Sequence, residues 1–235
     1  MPAIWERSTI LSPSLICLDM CDLSNQVQAL KQSGIEMLHI DIIDGHFSPS
    51  LPVGLDTIRQ LREKTDLIFD VHLMAAENEY FVDELLDIGV QQLVFHAESE
   101  RHVDYMLNKI HSRGVRAGVA LKPATSLSCL EYILDSCDCV LLMLINPGYA
   151  WNSCEKQITY AARKIGDLSL MIKARGTSTA IAVDGRISIQ NILDFSAVGA
   201  SHFVIGSTCL DKRDIPGGVN LLRQSVEAIN GSIAV

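Results

Sequence analysis

Eight short runs of apolar and β-branched residues recur along this chain, with longer amphipathic segments between them. Continuous apolar runs are typical of parallel strands, because helices cover both faces of such a sheet. The runs span residues 10–16, 37–42, 67–74, 92–97, 115–121, 139–145, 180–184 and 202–206. Eight β-then-α units in 235 residues predict an α/β fold of the (β/α)8 TIM barrel type. A doubly wound open sheet is the alternative.

Three of the intervening segments end at a glycine, which is a helix-stop signal after the last periodic residue. These glycines are Gly34, Gly89 and Gly114. The segment 165–180 mixes helix and loop signals and is the least defined. No Pro/Gly/Ser-rich linker or shift in composition divides the chain, so we predict a single domain over residues 1–235.

Composition and charge exclude several classes of protein. A formal net charge of −9 disfavours a general nucleic-acid or anionic-membrane surface. No apolar run approaches the roughly 20 residues of a membrane span, and the first ten residues lack the pattern of a secretory signal. The seven cysteines are an odd number, and Cys137 and Cys139 form C-x-C, so we expect reduced thiols. These features predict a cytoplasmic protein that binds neither nucleic acid nor membrane.

Ionisable side chains lie where strands are predicted to end. In "HIDIIDGH", the alternation of a strand places His39 and Asp41 on one face. His72 lies near the end of the next run, and Asp184 is the last residue of the seventh. The carboxyl ends of barrel strands are where active sites assemble. Two imidazoles and two carboxylates suit Zn²⁺, Fe²⁺ or Mn²⁺. One such histidine alone would be interpreted as structural, but four residues at matching strand ends indicate a site.

Two carboxylates beside a metal also indicate a reaction. If they flank a substrate, one can remove a proton and the other can deliver one from the opposite face. A bound metal would stabilise the oxyanion formed between these steps. This arrangement inverts a carbon next to a carbonyl, and it needs no redox cofactor.

Seven motifs resemble those of the ribulose-phosphate 3-epimerase family, which includes the allulose-6-phosphate 3-epimerases. They are "SPSLICLD", "HIDIIDGHFSPSL", "DVHLM", "LKPAT", "LLMLINPGYA", "VDGRIS" and "GASHFVIGS". They occur in the family's order and cover the chain from about residue 10 to about residue 210. The resemblance implies a barrel enzyme that binds a phosphorylated ketose.

The resemblance also implies roles for individual residues. The metal, one Zn, Fe, Mn or Co ion, would be held by His39, Asp41, His72 and Asp184. Asp41 and Asp184 would be the catalytic acid/base pair at C3. The positions expected to bind the substrate are Ser14, His72, Met74, Met143, Gly148, Gly185, Gly206 and Ser207, the last two through backbone donors to the phosphate.

The phosphate-binding region departs from the family pattern. The family usually has "NPGFGGQ" where this chain has "NPGYAWN", so Ala150 and Trp151 replace glycines. It usually has "VDGG" where this chain has "VDGR", which places Arg186 among the expected substrate-binding residues as an anion ligand. Ile43 and Lys122 are smaller departures. The reaction class is therefore retained, and the substrate is a pentulose or hexulose phosphate, or another acidic ketose.

We therefore predict a metal-dependent 3-epimerase that forms a homo-oligomer. The alternatives are a catalytically silent relative that binds a sugar phosphate, and a decarboxylase or hexulose-phosphate synthase of related fold. Asp70 could orient an imidazole or be a structural carboxylate. His96 faces the same end of the barrel but is not a ligand position in the family. The remaining histidines, His46, His102, His111 and His202, are assigned no chemistry.

Overall fold

A computed structural model describes residues 3–232 of the chain. Eight parallel strands form one sheet in which β2 to β7 each pair with the next strand in sequence, and β1 pairs with β8. The strands are β1 (Ile10–Pro13), β2 (Met37–Ile43), β3 (Ile68–Met74), β4 (Gln92–His96), β5 (Arg116–Leu121), β6 (Cys139–Met143), β7 (Ala180–Asp184) and β8 (His202–Ile205). A single bridge between Ser14 and His39 joins the β1 and β2 edges. The strands thus close into the predicted barrel.

Seven α-helices surround the strands in the part of the chain that is described. They are α1 (Leu23–Gln32), α2 (Leu55–Arg62), α3 (Glu79–Ile88), α4 (Val103–Ser112), α5 (Ala161–Arg175), α6 (Ile189–Ala197) and α7 (Ile215–Ser232). The fold class is therefore confirmed. The predicted one-domain span of residues 1–235 includes terminal residues outside those described and stays a prediction.

The connection after β5 differs from the expected pattern, because two 3₁₀ turns stand where an α-helix was predicted. They span Leu127–Leu130 and Leu134–Ser136. The Ser126 side chain accepts a hydrogen bond from the Ser128 backbone N–H, and this local bond favours a turn over a helix start. Leu130 and Leu134 are fully buried, so the turns still cover the barrel as a helix would.

Residue alternation along the strands divides the core into two parts. One face of each strand packs against the helices, as at Phe69, Phe95 and Phe203, which are all fully buried. The other face fills the barrel interior with a smaller apolar cluster, formed by Val94, Ala120, Cys139, Leu141, Met143, Ala182 and Val204. The register places Asp41 opposite His72 on this inner face. The polar residues of β2 and β3 therefore point into the barrel.

Candidate active site

The structure brings together the four residues that the sequence singled out as metal ligands. His39 and Asp41 extend from β2, His72 from β3, and Asp184 from the end of β7. One side-chain N or O atom from each of the four lies within 4.8 Å of the others. The first three are buried and Asp184 is partly buried. Two nitrogen and two oxygen donors thus converge at the carboxyl ends of the strands.

The His39 imidazole is oriented by Asp70, which lies deeper in the barrel. Nδ1 of His39 is 2.7 Å from Oδ2 of Asp70, and Oδ1 of Asp70 accepts a hydrogen bond from Gln92 at 2.8 Å. Donation from Nδ1 leaves the Nε2 lone pair free. Nε2 is buried without a hydrogen-bond partner and lies 3.4 Å from Asp41 Oδ1. An unpartnered nitrogen lone pair beside a carboxylate fits a metal cation.

The His72 imidazole is held in a chain of polar contacts that reaches the rim of the barrel. Its Nδ1 lies 3.2 Å from Oδ1 of Asp41. Its Nε2 lies 2.9 Å from Nε2 of His96, whose Nδ1 lies 2.9 Å from Oε2 of Glu98. Sequence reasoning missed the contribution of His96 and Glu98. The signal was the "FHAE" spacing, which places an imidazole at the end of β4 with a carboxylate two residues later.

The pKa values of the two aspartates are shifted in opposite directions. Burial would raise the pKa of Asp41, but the adjacent His39 and His72 hold that pKa well below its usual range. Removal from water, together with the charge of Asp41, raises the pKa of Asp184 to about 6. Neighbouring carboxyl groups with separated pKa values are suited to opposite acid and base roles.

The same electrostatics favour a cation among the donors. Burial alone would lower the pKa of His39, but Asp41 and Asp70 hold that pKa well above its usual range. The two carboxylates therefore favour a positive charge at His39. A divalent cation bound to its Nε2 would be stabilised by the same two carboxylates.

A cavity of about 680 Å³ opens directly above this cluster. All the predicted substrate-binding residues except His72 line it, namely Ser14, Met74, Met143, Gly148, Gly185, Arg186, Gly206 and Ser207. Ser14 Oγ donates to Asp41 Oδ2 at 3.0 Å, so this serine joins the two parts of the site. The placement agrees with the expected site, while the individual roles stay predictions.

Three of the departures from the family pattern, at Ala150, Trp151 and Arg186, lie at the loop end of this cavity. Trp151 lines the cavity with 71% of its surface exposed. The Arg186 guanidinium donates to backbone carbonyl oxygens of the loop that contains Trp151. Lys122 does not line the cavity, and its ammonium lies 4.0 Å from the centre of the Phe47 ring. Arg213, which sequence reasoning missed, also lines the cavity, where Asp211 pairs with it at 2.7 Å.

Within residues 3–232, no helix combines the length and the apolar character that crossing a membrane requires.

A family model and curated relatives both point to the ribulose-phosphate 3-epimerases. The family model described as "Ribulose-phosphate 3 epimerase family" matches residues 10–210. The chloroplastic ribulose-5-phosphate-3-epimerase of Arabidopsis thaliana is 35% identical over 223 residues, covering 94% of this chain and 78% of that protein. The ribulose-phosphate 3-epimerase of Treponema pallidum is 37% identical over 202 residues, covering 86% and 91% respectively.

Solved structures with similar folds are more distant in sequence. KGPDC from Streptococcus mutans superposes with a TM-score of 0.68 at 15% identity, covering 94% of this chain and 98% of that one. The tryptophan synthase alpha subunit of Legionella pneumophila gives a TM-score of 0.64 at 14% identity, covering 94% and 93%. At such identities the likeness supports the barrel fold alone.

Proposed function

Since this chain belongs to the ribulose-phosphate 3-epimerase family, we propose that it is a metal-dependent enzyme that inverts C3 of a phosphorylated ketose. Membership stands on the family match over residues 10–210 and on relatives at 35–37% identity over most of the chain. The protein is accordingly an isomerase that acts on carbohydrates. The observation that carries metal dependence is the convergence of four donors around the unpartnered Nε2 of His39.

The donor set fits one divalent cation. His39, His72 and the two aspartates would hold it, with Asp70 and His96 bonded to the outward nitrogens of the two imidazoles. Nitrogen and carboxylate donors suit zinc, iron, manganese or cobalt. When bound, the cation supplies positive charge next to the oxygen that becomes negative as a proton leaves C3.

The two aspartates act as a pair of proton carriers. Asp41 extends from β2 and Asp184 from β7, and β1 and β8 separate these strands around the barrel. The two carboxylates therefore approach a substrate in the cavity from different directions. In one direction of the reaction, ionised Asp41 removes the C3 proton and protonated Asp184 delivers one to the other face. Before a cation binds, burial and the charge of Asp41 raise the pKa of Asp184 to about 6, which favours a proton on this carboxyl.

Apolar side chains and backbone groups complete the site. Met74 and Met143 are buried at the ends of β3 and β6, where their thioethers form an apolar wall that excludes water. Gly185 permits a close approach between chain segments, because a Cβ there would lie 2.8 Å from the backbone N of Ile145. Backbone N–H groups of Gly206 and Ser207 are suited to bind the phosphate, as near the final strands of other barrels.

The substrate we propose is a pentulose or hexulose phosphate such as ribulose 5-phosphate or allulose 6-phosphate. The decisive experiment follows exchange of the C3 proton with solvent deuterium by NMR, on each of these two compounds. Chelation should abolish exchange, and one of Zn²⁺, Mn²⁺, Fe²⁺ or Co²⁺ should restore it. His39→Gln should prevent restoration, whereas His111→Gln should not, because His111 binds Asp138 away from the four donors.

Two outcomes contradict the proposal in different ways. Exchange that survives complete removal of metal overturns metal dependence. Tight binding of either ketose phosphate without exchange in any metal state identifies the catalytically silent relative instead.

A further inference from the structure

Arg186 has an unusual backbone conformation. Within residues 3–232 it is the one non-glycine residue with a positive φ, at 54°. A side chain with a Cβ disfavours this left-handed conformation, so it persists only where the surroundings fix it. The family pattern has glycine at this position. Replacement of that glycine by arginine therefore needs compensating contacts.

The compensating contacts come from the loop between β6 and α5, residues 144–160, called here the β6–α5 loop. Nη2 of Arg186 donates to the carbonyl oxygens of Ala150 at 3.1 Å and Asn152 at 2.8 Å. Nε donates to the carbonyl oxygen of Glu155 at 3.0 Å. One side chain thus binds three carbonyl groups of a loop that carries Trp151.

A second hydrogen bond joins the same loop to the residue after β7, and here the loop supplies the donor. Nε2 of Gln157 donates to the carbonyl oxygen of Gly185 at 2.8 Å. Within the loop, Oε1 of Glu155 accepts from the backbone N–H of Asn146 at 2.6 Å and from its side-chain amide at 2.9 Å. Loss of the Arg186 side chain therefore removes three hydrogen bonds of the loop and leaves the Gln157 bond and the loop's internal bonds in place.

The Arg186 guanidinium keeps one nitrogen, Nη1, without a hydrogen-bond partner among the described residues. Among the described residues, no carboxylate lies within 4.0 Å of it, and its hydrogen bonds use Nε and Nη2 but not Nη1. Arg186 lines the 680 Å³ cavity above the four donors. A guanidinium is always charged, and its planar fork is oriented once Nε and Nη2 are bound. Nη1 is therefore an oriented cationic donor with no acceptor among the described residues.

We propose that Arg186 determines substrate specificity by holding the β6–α5 loop with Nε and Nη2 while Nη1 binds the substrate's phosphate. The inference rests on the proposed function, since it assigns the phosphate of that same substrate. Compared with the family pattern, part of the phosphate recognition is then carried by the Arg186 guanidinium instead of backbone N–H groups, and the position of this guanidinium depends on the loop. Loop order and phosphate binding are therefore coupled, because both use one guanidinium.

The first test measures the loop directly and needs no enzymatic activity. Hydrogen–deuterium exchange of peptides covering residues 146–157 is compared among the parent, Arg186→Gly and Arg186→Lys. Loss of three charge-assisted bonds should speed exchange by about tenfold or more in the glycine variant. Lysine should give an intermediate rate, because one ammonium cannot reproduce a planar fork. Glycine accepts the left-handed φ, so the variant also relieves backbone strain and should fold.

Arg213→Gly is the matched control. Arg213 lines the same cavity but binds Asp211 and is largely exposed, so its loss changes charge without touching the β6–α5 loop. Exchange over residues 146–157 should be unchanged in this control. Equal exchange rates for the loop in the parent and in Arg186→Gly would overturn the proposal that Arg186 holds the β6–α5 loop.

The second test concerns the anion. Calorimetric titration uses inorganic phosphate, ribulose 5-phosphate and unphosphorylated ribulose. Arg186→Gly should weaken binding of both phosphate compounds about tenfold and leave ribulose unchanged. Added methylguanidinium should restore phosphate affinity to this variant. Unchanged phosphate affinity would overturn the anion role, even if the loop loosens. Absence of epimerisation in every variant would count against the proposed function alone, because neither test depends on turnover.

Discussion

The two ends of the active-site cavity are built from different kinds of structure. At one end, His39, Asp41 and His72 extend from adjacent strands whose register fixes their relative positions. At the other end, the loops after β6, β7 and β8 surround the part of the cavity where we propose that the phosphate binds, and Trp151 there is 71% exposed. The donor end matches the family pattern at each proposed ligand position, whereas the loop end carries the substitutions at Ala150, Trp151 and Arg186.

The hydrogen bonds that hold the side chains and loops at each end of the cavity explain this difference. Each imidazole at the donor end has a partner on its outward nitrogen, Asp70 for His39 and His96 for His72. At the loop end, the β6–α5 loop is bound to the residues after β7 by the Arg186 guanidinium and the Gln157 amide, which both donate to backbone carbonyl oxygens. A change at the donor end disrupts several mutually dependent bonds, whereas a loop can change without disturbing the barrel. We therefore expect the strands to fix the chemistry and the loops to determine which substrate is bound.

The largest effect we expect is loss of turnover on replacing either aspartate of the donor end. Asp41→Asn and Asp184→Asn should each reduce epimerisation by about 10²–10⁴-fold, because a carboxamide cannot carry the proton. Turnover of ribulose 5-phosphate in a coupled assay measures this loss. Asp56→Asn, a change on the exposed surface of α2, is the control.

Deuterium wash-in separates the roles of the two aspartates. In variants that still hold metal, each should retain exchange with one C3 epimer only, and the two variants should retain opposite epimers. Exchange of the same epimer by both variants, or epimerisation at the parent rate by either, contradicts the two-base mechanism.

The next effect concerns support of the donor end. Asp70→Asn removes the carboxylate that orients His39, so metal affinity should fall by about 10–100-fold. Competition with a chromophoric chelator measures the affinity. Asp138→Asn is a matched control, because Asp138 also pairs with an imidazole, that of His111 at 2.8 Å, but lies before β6 away from the donors. An unchanged affinity in Asp70→Asn would show that His39 needs no orienting partner.

A smaller effect is expected on stability, from the outermost residue of the His72–His96–Glu98 chain. Removal from water opposes ionisation of Glu98, but hydrogen bonds from His96, Thr125 and the Lys122 backbone lower its pKa to about 2. A lowered carboxyl pKa contributes stability above the unfolded value near 4.5 that is lost as pH falls towards 2. Allowing for screening by solvent, Glu98→Gln should cost about 1–2 kcal/mol at pH 7.

Urea unfolding of Glu98→Gln and of the parent at pH 7 and at pH 3 tests how the stability contributed by Glu98 changes with pH. The difference in unfolding free energy should shrink at the lower pH, because Glu98 is then protonated in the unfolded chain. Glu79→Gln, at an exposed surface ion pair with Lys109, should show little difference at either pH. A difference that grows on acidification would contradict the assigned pKa direction.

The sequence predicted the donor end better than the loop end for a physical reason. Strand alternation has a period of two, so His39 and Asp41 had to share a face, and parallel strands bring their carboxyl ends together. The same reasoning predicted all eight strands but not the 3₁₀ turns after β5, where local Ser126 bonding replaces a helix. Segment 165–180 proved to contain the end of α5, which stops at Gly176 in a left-handed conformation.

Contacts at the loop end were beyond such reasoning. Arg186 was predicted to bind an anion because of its charge, and that role stays a prediction. Its bonds to carbonyl groups of Ala150 and Asn152 join positions more than thirty residues apart through backbone atoms, which are the same in every residue type. No pattern of residue types encodes such a contact. His96 and Glu98 were visible in "FHAE", but their partner His72 became apparent only in the folded barrel.

The smallest effect we expect comes from restoring glycine at the rim of the loop end. Trp151→Gly should raise kcat/KM on ribulose 5-phosphate by about two- to fivefold, because a glycine lets the backbone approach phosphate more closely. Stability should change by about 0.5 kcal/mol or less, since the indole is mostly exposed. Steady-state kinetics measure the first and urea unfolding the second, with Tyr132→Gly, at a residue 90% exposed and outside the cavity, as control. A fall in kcat/KM would instead show that the indole contacts the substrate, and the side chains of the loop end would then be as specific to their ligand as those of the donor end.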